Sequence, residues 1–341
     1  GMPEQALALL RDVCRQQGNS YRPRMLDTAM VMLRMLRDRL WQPGAPAASP
    51  SGKLLSSSAS IDSSAASQAG FDNEAVCLMA MDVLLMLLGS AVHEVTQHEL
   101  SSARSQPGAV VPSSGKPSTD GTTQSRQAAL ASAKRLVQAP ELGQCVPQLV
   151  QMLSRSGSSV TVHRAAAILG QLAAEPLRAS ELVACDGVSA LAPLLDSPSR
   201  SIAAQAAAAL LRCLPCVQPE ALLPALPALT RRVSALKAED TVARLLLLRS
   251  LRLIDFLVHG VPSGAEALHK AGGTEALVLA TALPNRSMCQ HATSALLKLA
   301  QSHEPSLQAF AQCGGLLVAS ELALHPDEAV SSMAVLLLEL L

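Results

Sequence analysis

Aromatic side chains are nearly missing from this chain: one Trp, one Tyr and three Phe in 341 residues. Sheet sandwiches and barrels fill the space between layers with large rings. Their scarcity points instead to helices packed through small aliphatic residues. Net charge is missing as well. Lys plus Arg and Asp plus Glu number 27 each, so bulk charge calls for neither nucleic acid nor an anionic membrane as partner. Catalytic signatures are also lacking: there is no GxSxG elbow, no Walker loop and no HExxH pair. The first residues, Gly1 to Arg11, lack the basic head and apolar run of a signal peptide.

Eight cysteines are present, scattered and mostly inside apolar helical patterns. They read as small buried hydrophobes in a reducing compartment, so a cytoplasmic protein is expected, with the nucleus also open. Cys213-Leu-Pro-Cys216 is a lone CxxC at the end of a helical pattern. A redox pair favours the opposite end, where the helix dipole lowers the thiol pKa, and a zinc site needs a second pair. Packing and a Pro stop explain it. The eight histidines show no ligand spacing; His93 and His98 fall on different helix faces, and His163 and His259 sit in apolar helices as structural residues or groove edges. Glu239-Asp240 reads as a helix start, with negative charge at the positive dipole end. No cofactor, no metal and no enzymatic activity are expected.

About half of the residues are apolar, chiefly Ala, Leu and Val, and their distribution divides the chain. Residues 1–41 carry two helical patterns, which can be read as a degenerate repeat. Residues 42–70 turn to Ser, Ala and Pro and cannot bury enough apolar area to offset their ordering entropy, so a disordered insertion is expected. Residues 71–98 form an apolar helix, again a possible degenerate repeat. A second Ser/Gly/Pro-rich insertion covers 99–126, and 127–341 reads as nearly continuous helix with short turns. Within the apolar helix, 75–92 approaches a membrane span. Asp82 near its middle costs about 3 kcal/mol on insertion scales, and the stretch is at the short limit for spanning, so a buried helix is expected in place of a membrane segment. Gly1 preceding Met2, and the apolar run that reaches Leu341, read as a piece of a longer protein.

The strongest positive signal is a leucine ladder: Leu172, Leu214, Leu257, Leu299 and Leu341, in steps of 42, 43, 42 and 42. Other residues keep the same beat. Gly272-Gly273 recurs as Gly314-Gly315, with Gly187 two periods earlier, and Pro198, Pro284 and Pro326 follow the same spacing. A fixed period of this size is the mark of a helical repeat array. The Gly is expected to end one helix in a sharp turn, the Pro to stop the next, and the Leu to seal neighbouring repeats.

The segments PLRASELVACDGVSALAPLLDSPSRSIAAQAAAALLRCL and HEPSLQAFAQCGGLLVASELALHPDEAVSSMAVLLLELL resemble armadillo repeats. The resemblance covers about 127–341 and implies an all-α, right-handed α-solenoid of armadillo/HEAT-like repeats of about 42 residues. Each repeat would hold a short first helix, a second helix after the Gly, a turn with Pro and a long third helix. The middle repeat, about 217–259, departs from the pattern: it lacks the Gly pair and carries Pro219, Pro224 and Pro227.

The resemblance further implies that third helices line a concave groove. In the importin-alpha type that groove carries an Asn near the end of each third helix and a Trp one turn earlier. Counting back from the ladder, the Asn position falls on Gln171, Cys213, Phe256, Lys298 and Leu340, and the Trp position on Ala167, Ala209, Arg252, Ser294 and Leu336. Neither residue type remains, which argues against nuclear-import cargo. A broken basic stripe replaces them. Arg164, Arg249 and His291 stand one turn further back, on one face with Arg252 and Lys298. The candidate partner-binding groove is therefore Arg164, Gln171, Arg249, Arg252, Phe256, His291 and Lys298. Its expected partner is a protein or peptide, acidic or phosphorylated. The function expected is a non-catalytic interaction scaffold. Two rival readings stand beside it: the regulatory or scaffolding arm of a larger enzyme, such as a Fused-type protein kinase or a ubiquitin ligase, and a membrane-associated scaffold anchored through 75–92.

Overall fold

Gly, Pro and small polar caps set where the helices begin and end. The computed structural model describes residues 78, 81–86, 88, 138–235 and 240–341. The helices expected over 1–41, both insertions (42–70 and 99–126), His93, His98 and most of 71–98 lie outside the described residues. The chain divides into two compact units, Gly1–Met152 and Leu153–Leu341. In the first, the described residues of 78–88 are helical, and Met81, Val83, Leu84 and Leu88 are buried. Helix α1 (Pro140–Arg155) buries Leu142, Cys145, Val146 and Leu149, the i, i+3, i+4, i+7 stripe of an amphipathic helix. No helix among the described residues is long and apolar enough to cross a membrane.

The second unit opens with α2 (Ser159–Leu172) and then repeats a three-part motif. The first copy is α3 (Pro176–Ala184), α4 (Gly187–Leu191) with a 3₁₀ turn over Ala192–Asp196, and α5 (Arg200–Cys213). The second is a 3₁₀ turn (Pro219–Ala225), α6 (Leu226–Ala235) and α7 (Thr241–Gly260). The third is α8 (Gly264–Lys270), α9 (Gly273–Thr281) and α10 (Arg286–Ser302); the fourth is α11 (Glu304–Gln312), α12 (Gly315–Ala323) and α13 (Glu328–Leu340). The Pro-rich middle repeat thus keeps the plan, with a 3₁₀ turn in place of its first helix. The long third helices pack in chain order, α2 on α5, α5 on α7, α7 on α10 and α10 on α13. This is an all-α solenoid.

The paired glycines divide two tasks that the sequence reading gave to one residue. Gly272 and Gly314 take the left-handed backbone, φ 73° and 80°, at the turn between first and second helices. In the first copy Asp186 holds that turn at φ 57°, a conformation Asp tolerates better than most side chains. Gly187, Gly273 and Gly315 have the other task. They begin the second helix so close to the first that an added Cβ would overlap Leu182, Leu268 or Phe310.

Four of the five long helices α2, α5, α7, α10 and α13 start on side-chain caps; α5, after Ser199, does not. Ser158, Asp240, Asn285 and Asp327 accept backbone N–H groups from Thr161, Ala243, Met288 and Ala329. Two of these caps also tie repeats together. Arg200, the first residue of α5, pairs with Asp240 at 3.2 Å, and Arg286, the first residue of α10, pairs with Asp327.

Two rungs of the ladder need correction. Leu172, Leu257 and Leu299 are buried, but Leu341 is exposed and Leu214 is only half-buried, while Cys213 has 0% exposure. The core pattern of α5 (Ile202, Ala203, Ala206, Ala207, Ala209, Leu210, Cys213) superimposes on α2 with a step of 41 and on α7 with a step of 44. Cysteine packs as a small hydrophobe, so it can serve as the rung that the more obvious leucine suggested.

Candidate functional site

The slipped rung moves the groove positions of α5 by one residue. The residue before the buried rung is Arg212, not Cys213; the position one turn earlier is Ala208, not Ala209. Arg212 is a cation at a candidate groove position that ladder counting missed. Burial explains why: neighbours along a helix point about 100° apart, so Cys213 and Arg212 cannot both face the core.

Arg212 lies half-buried across α2, where Nη1 donates to the Gly170 carbonyl and, at 3.5 Å, reaches Oε1 of Gln171. Arg249 repeats the arrangement one repeat later: Nη1 donates at 2.6 Å to the Ala204 carbonyl of α5. Both guanidiniums are held below the ordinary arginine pKa, chiefly by burial and, for Arg249, also by the positive charge of Arg212. Arg252 stands exposed one turn along α7. Among the described residues, none of these three arginines forms an ion pair with a carboxylate. Arg164 and Lys298 are half-buried on α2 and α10.

Toward the C-terminal end of α7 the face changes character. A cleft of about 480 Å³ is lined by Leu211 of α5 and Leu214 just past its end, by Arg252, Asp255, Phe256, His259 and Gly260 of α7, and by His291 of α10. Its Leu211, Leu214 and Phe256 make an apolar wall. Opposite stands a clamp around Asp255: His291 Nδ1 lies 2.8 Å from Oδ2 and His259 Nε2 3.3 Å from Oδ1. Oδ1 is buried without a well-aligned hydrogen bond. The same Nε2 of His259 sits 3.1 Å from Ser294 Oγ. A Ser-His-Asp relay needs opposite ring nitrogens for the serine and the carboxylate. Here one nitrogen faces both, so the cluster clamps α7 to α10 and is not a relay. His163 does similar work between α2 and α5, with Nε2 2.7 Å from Ser201 Oγ, and burial lowers its pKa.

Of the seven candidate groove residues, the cleft therefore brings together Arg252, Phe256 and His291. Arg249 is engaged at Ala204, Gln171 meets Arg212, and Arg164 and Lys298 lie on flanking helices outside the cleft. Asp255 was missed as a site residue because its 2.8 Å partner, His291, lies on another helix; His259, read from the sequence as a structural residue or groove edge, meets Asp255 four residues away on α7 and Ser294 on α10. Cys213 of the CxxC is buried, and desolvation with the neighbouring Cys216 pushes its thiol up to about 12, opposite to what a reactive cysteine needs. The six described cysteines are unbridged.

The whole-chain comparisons agree with this geometry. An engineered protein of known crystal structure superposes with a TM-score of 0.54 at 20% identity, covering 78% of this chain and 64% of that one. A second engineered protein gives 0.50 at 22% identity, over 75% and 90%. A designed armadillo repeat protein in complex with the peptide (KR)4 gives 0.49 at 17% identity, over 74% and 98%. In fold, the three-helix repeat of α3 to α13 is armadillo-like. At these identities the likeness concerns the fold alone. No protein-family model and no curated relative matches the chain.

Proposed function

We propose that this armadillo-like protein is a non-catalytic interaction scaffold whose third-helix face binds an acidic or phosphorylated segment of a protein partner. The observation that carries the reading is the group Arg212, Arg249 and Arg252 on the successive third helices α5 and α7, with the positive charge of Arg212 felt at Arg249. These are three cations without a carboxylate partner among the described residues. Two are half-buried and held by backbone carbonyls, so their charge is fixed in place while most of their N–H donors remain uncommitted. Guanidinium recognises carboxylate and phosphate through paired N–H donors, and the preset geometry lowers the entropic cost of doing so.

The test is an immobilised peptide array holding acidic, phosphorylated, neutral and basic sequences, probed with the full chain and with Arg252→Glu. The exposed position of Arg252 makes this reversal tolerable to the fold. Retention of acidic and phosphorylated peptides, weakened by salt and lost on reversal, is expected. Equal retention of basic peptides, or binding indifferent to Arg252→Glu, refutes the proposal.

A further inference from the structure

Resting on that reading, we infer that the cleft beside Phe256 is a second subsite, which takes a large apolar side chain of the same partner segment two residues from its anionic group. The cleft carries an apolar wall that does not suit an anion, made by Leu211 and Leu214 from the end of α5 and Phe256 of α7. Its other wall carries the Asp255 carboxylate, held by His291 at 2.8 Å. That negative charge disfavours a second anion at this end and directs the ligand's anionic group toward Arg252 and Arg249. The face is thus polarised along α7, with arginine first, then the apolar cleft.

The spacing follows from two periodicities. Arg252 and Phe256 lie four residues apart on one helix face, a rise of about 6 Å. In an extended peptide, side chains two residues apart point the same way and stand about 6.6 Å apart. An anionic residue and a large apolar residue in the order i, i+2 therefore reach Arg252 and the Phe256 cleft at once. Adjacent residues point to opposite sides and cannot. The occupant is therefore an extended partner segment carrying phosphoserine, Asp or Glu with Leu, Ile or Phe two positions away. Burying one such apolar side chain supplies roughly tenfold or more in affinity.

Fluorescein-labelled peptides built on a Gly/Ala backbone test this by anisotropy with the full chain. They carry phosphoserine-Ala-Leu, the reversed Leu-Ala-phosphoserine, phosphoserine-Leu with no spacer, phosphoserine-Ala-Ala, and Ser-Ala-Leu. One of the two spaced orders is expected to bind about tenfold more tightly than phosphoserine-Ala-Ala and than the unspaced peptide. Phe256→Ala should erase that Leu advantage while phosphoserine dependence survives. Phe256 is only half-buried, and a circular-dichroism melt confirms the variant's fold; Leu211→Ala provides an independent second reading of the same wall. Equal binding with and without Leu overturns the subsite but leaves the basic face standing. Preference for Ser-Ala-Leu over the phosphorylated peptides, or no binding by any phosphopeptide, overturns the proposed function together with the subsite.

Discussion

Arg249 and Arg252 are three residues apart, yet the fold uses them differently, and stability should separate them. Arg249 is half-buried, and its Nη1 donates at 2.6 Å to the carbonyl of Ala204 on the preceding third helix. A hydrogen bond from a charged donor contributes about 1.5–3 kcal/mol. Ala204 lies inside α5, so its carbonyl also accepts a helical N–H, and removing the guanidinium leaves no orphaned acceptor; the low end of that range applies. Loss of the half-buried methylene stem adds about 1 kcal/mol. Relief of burial and of repulsion from Arg212 works in the other direction. The net expectation is that Arg249→Ala destabilises by about 1–2 kcal/mol, whereas exposed Arg252→Ala stays within about 0.5 kcal/mol of the parent. Arg249→Met, which keeps the stem, should fall between the two. Urea unfolding followed by far-UV circular dichroism reads the difference. If Arg252→Ala costs as much stability as Arg249→Ala, the assignment of Arg249 as an inter-repeat strut is wrong.

Two further outcomes follow from local geometry. At the tandem glycines, Gly272→Asn should be nearly neutral, because Asp186 holds the equivalent left-handed turn, and Gly272→Ala should cost about 1–2 kcal/mol. Gly273→Ala should cost about 2–3 kcal/mol, since its Cβ would overlap Leu268 and press to 2.8 Å on the Leu268 carbonyl; thermal melts of the three variants test the order. Asp240 is held below the ordinary carboxylate range, first by the Ala243 N–H and then by Arg200, against a desolvation that pulls the other way. A depressed folded-state pKa gives stability that is fully present above the unfolded value of about 4 and is lost as pH falls through the folded value. Stability should therefore drop as pH falls below about 4, and Asp240→Asn, which keeps the cap, should flatten that part of the profile in acid-unfolding titrations.

The period of the array was legible because its punctuation is local. Pro284 and Pro326 end second helices whatever surrounds them, and Gly272 and Gly314 are the residues for which a left-handed turn costs least. Asp240 read as a helix start for the same reason, and it is the cap of α7. The departures of the middle repeat were visible too, though not that Pro219–Ala225 would close as a 3₁₀ turn in place of a first helix. The candidate site was legible only in outline. Arg252, Phe256 and His291 were picked from spacing and do share a cleft, but nothing in their spacing revealed Asp255 between the two imidazoles.

By itself, then, the sequence determined the helices, their turns and the repeat of about 42 residues, since each depends on backbone preferences and apolar periodicity within a few residues. Only the tertiary structure decided which of Cys213 and Leu214 enters the core, and with it that Arg212 lies across α2. Both residues are apolar, and the choice rests on how α5 rotates to pack between α2 and α7. The same lateral packing aligned Arg249 with Ala204 and Asp255 with His291, pairs 45 and 36 residues apart in the chain. Contacts of that kind depend on the register between neighbouring helices, which is set by the volumes that interdigitate across the interface and is not written in either helix alone.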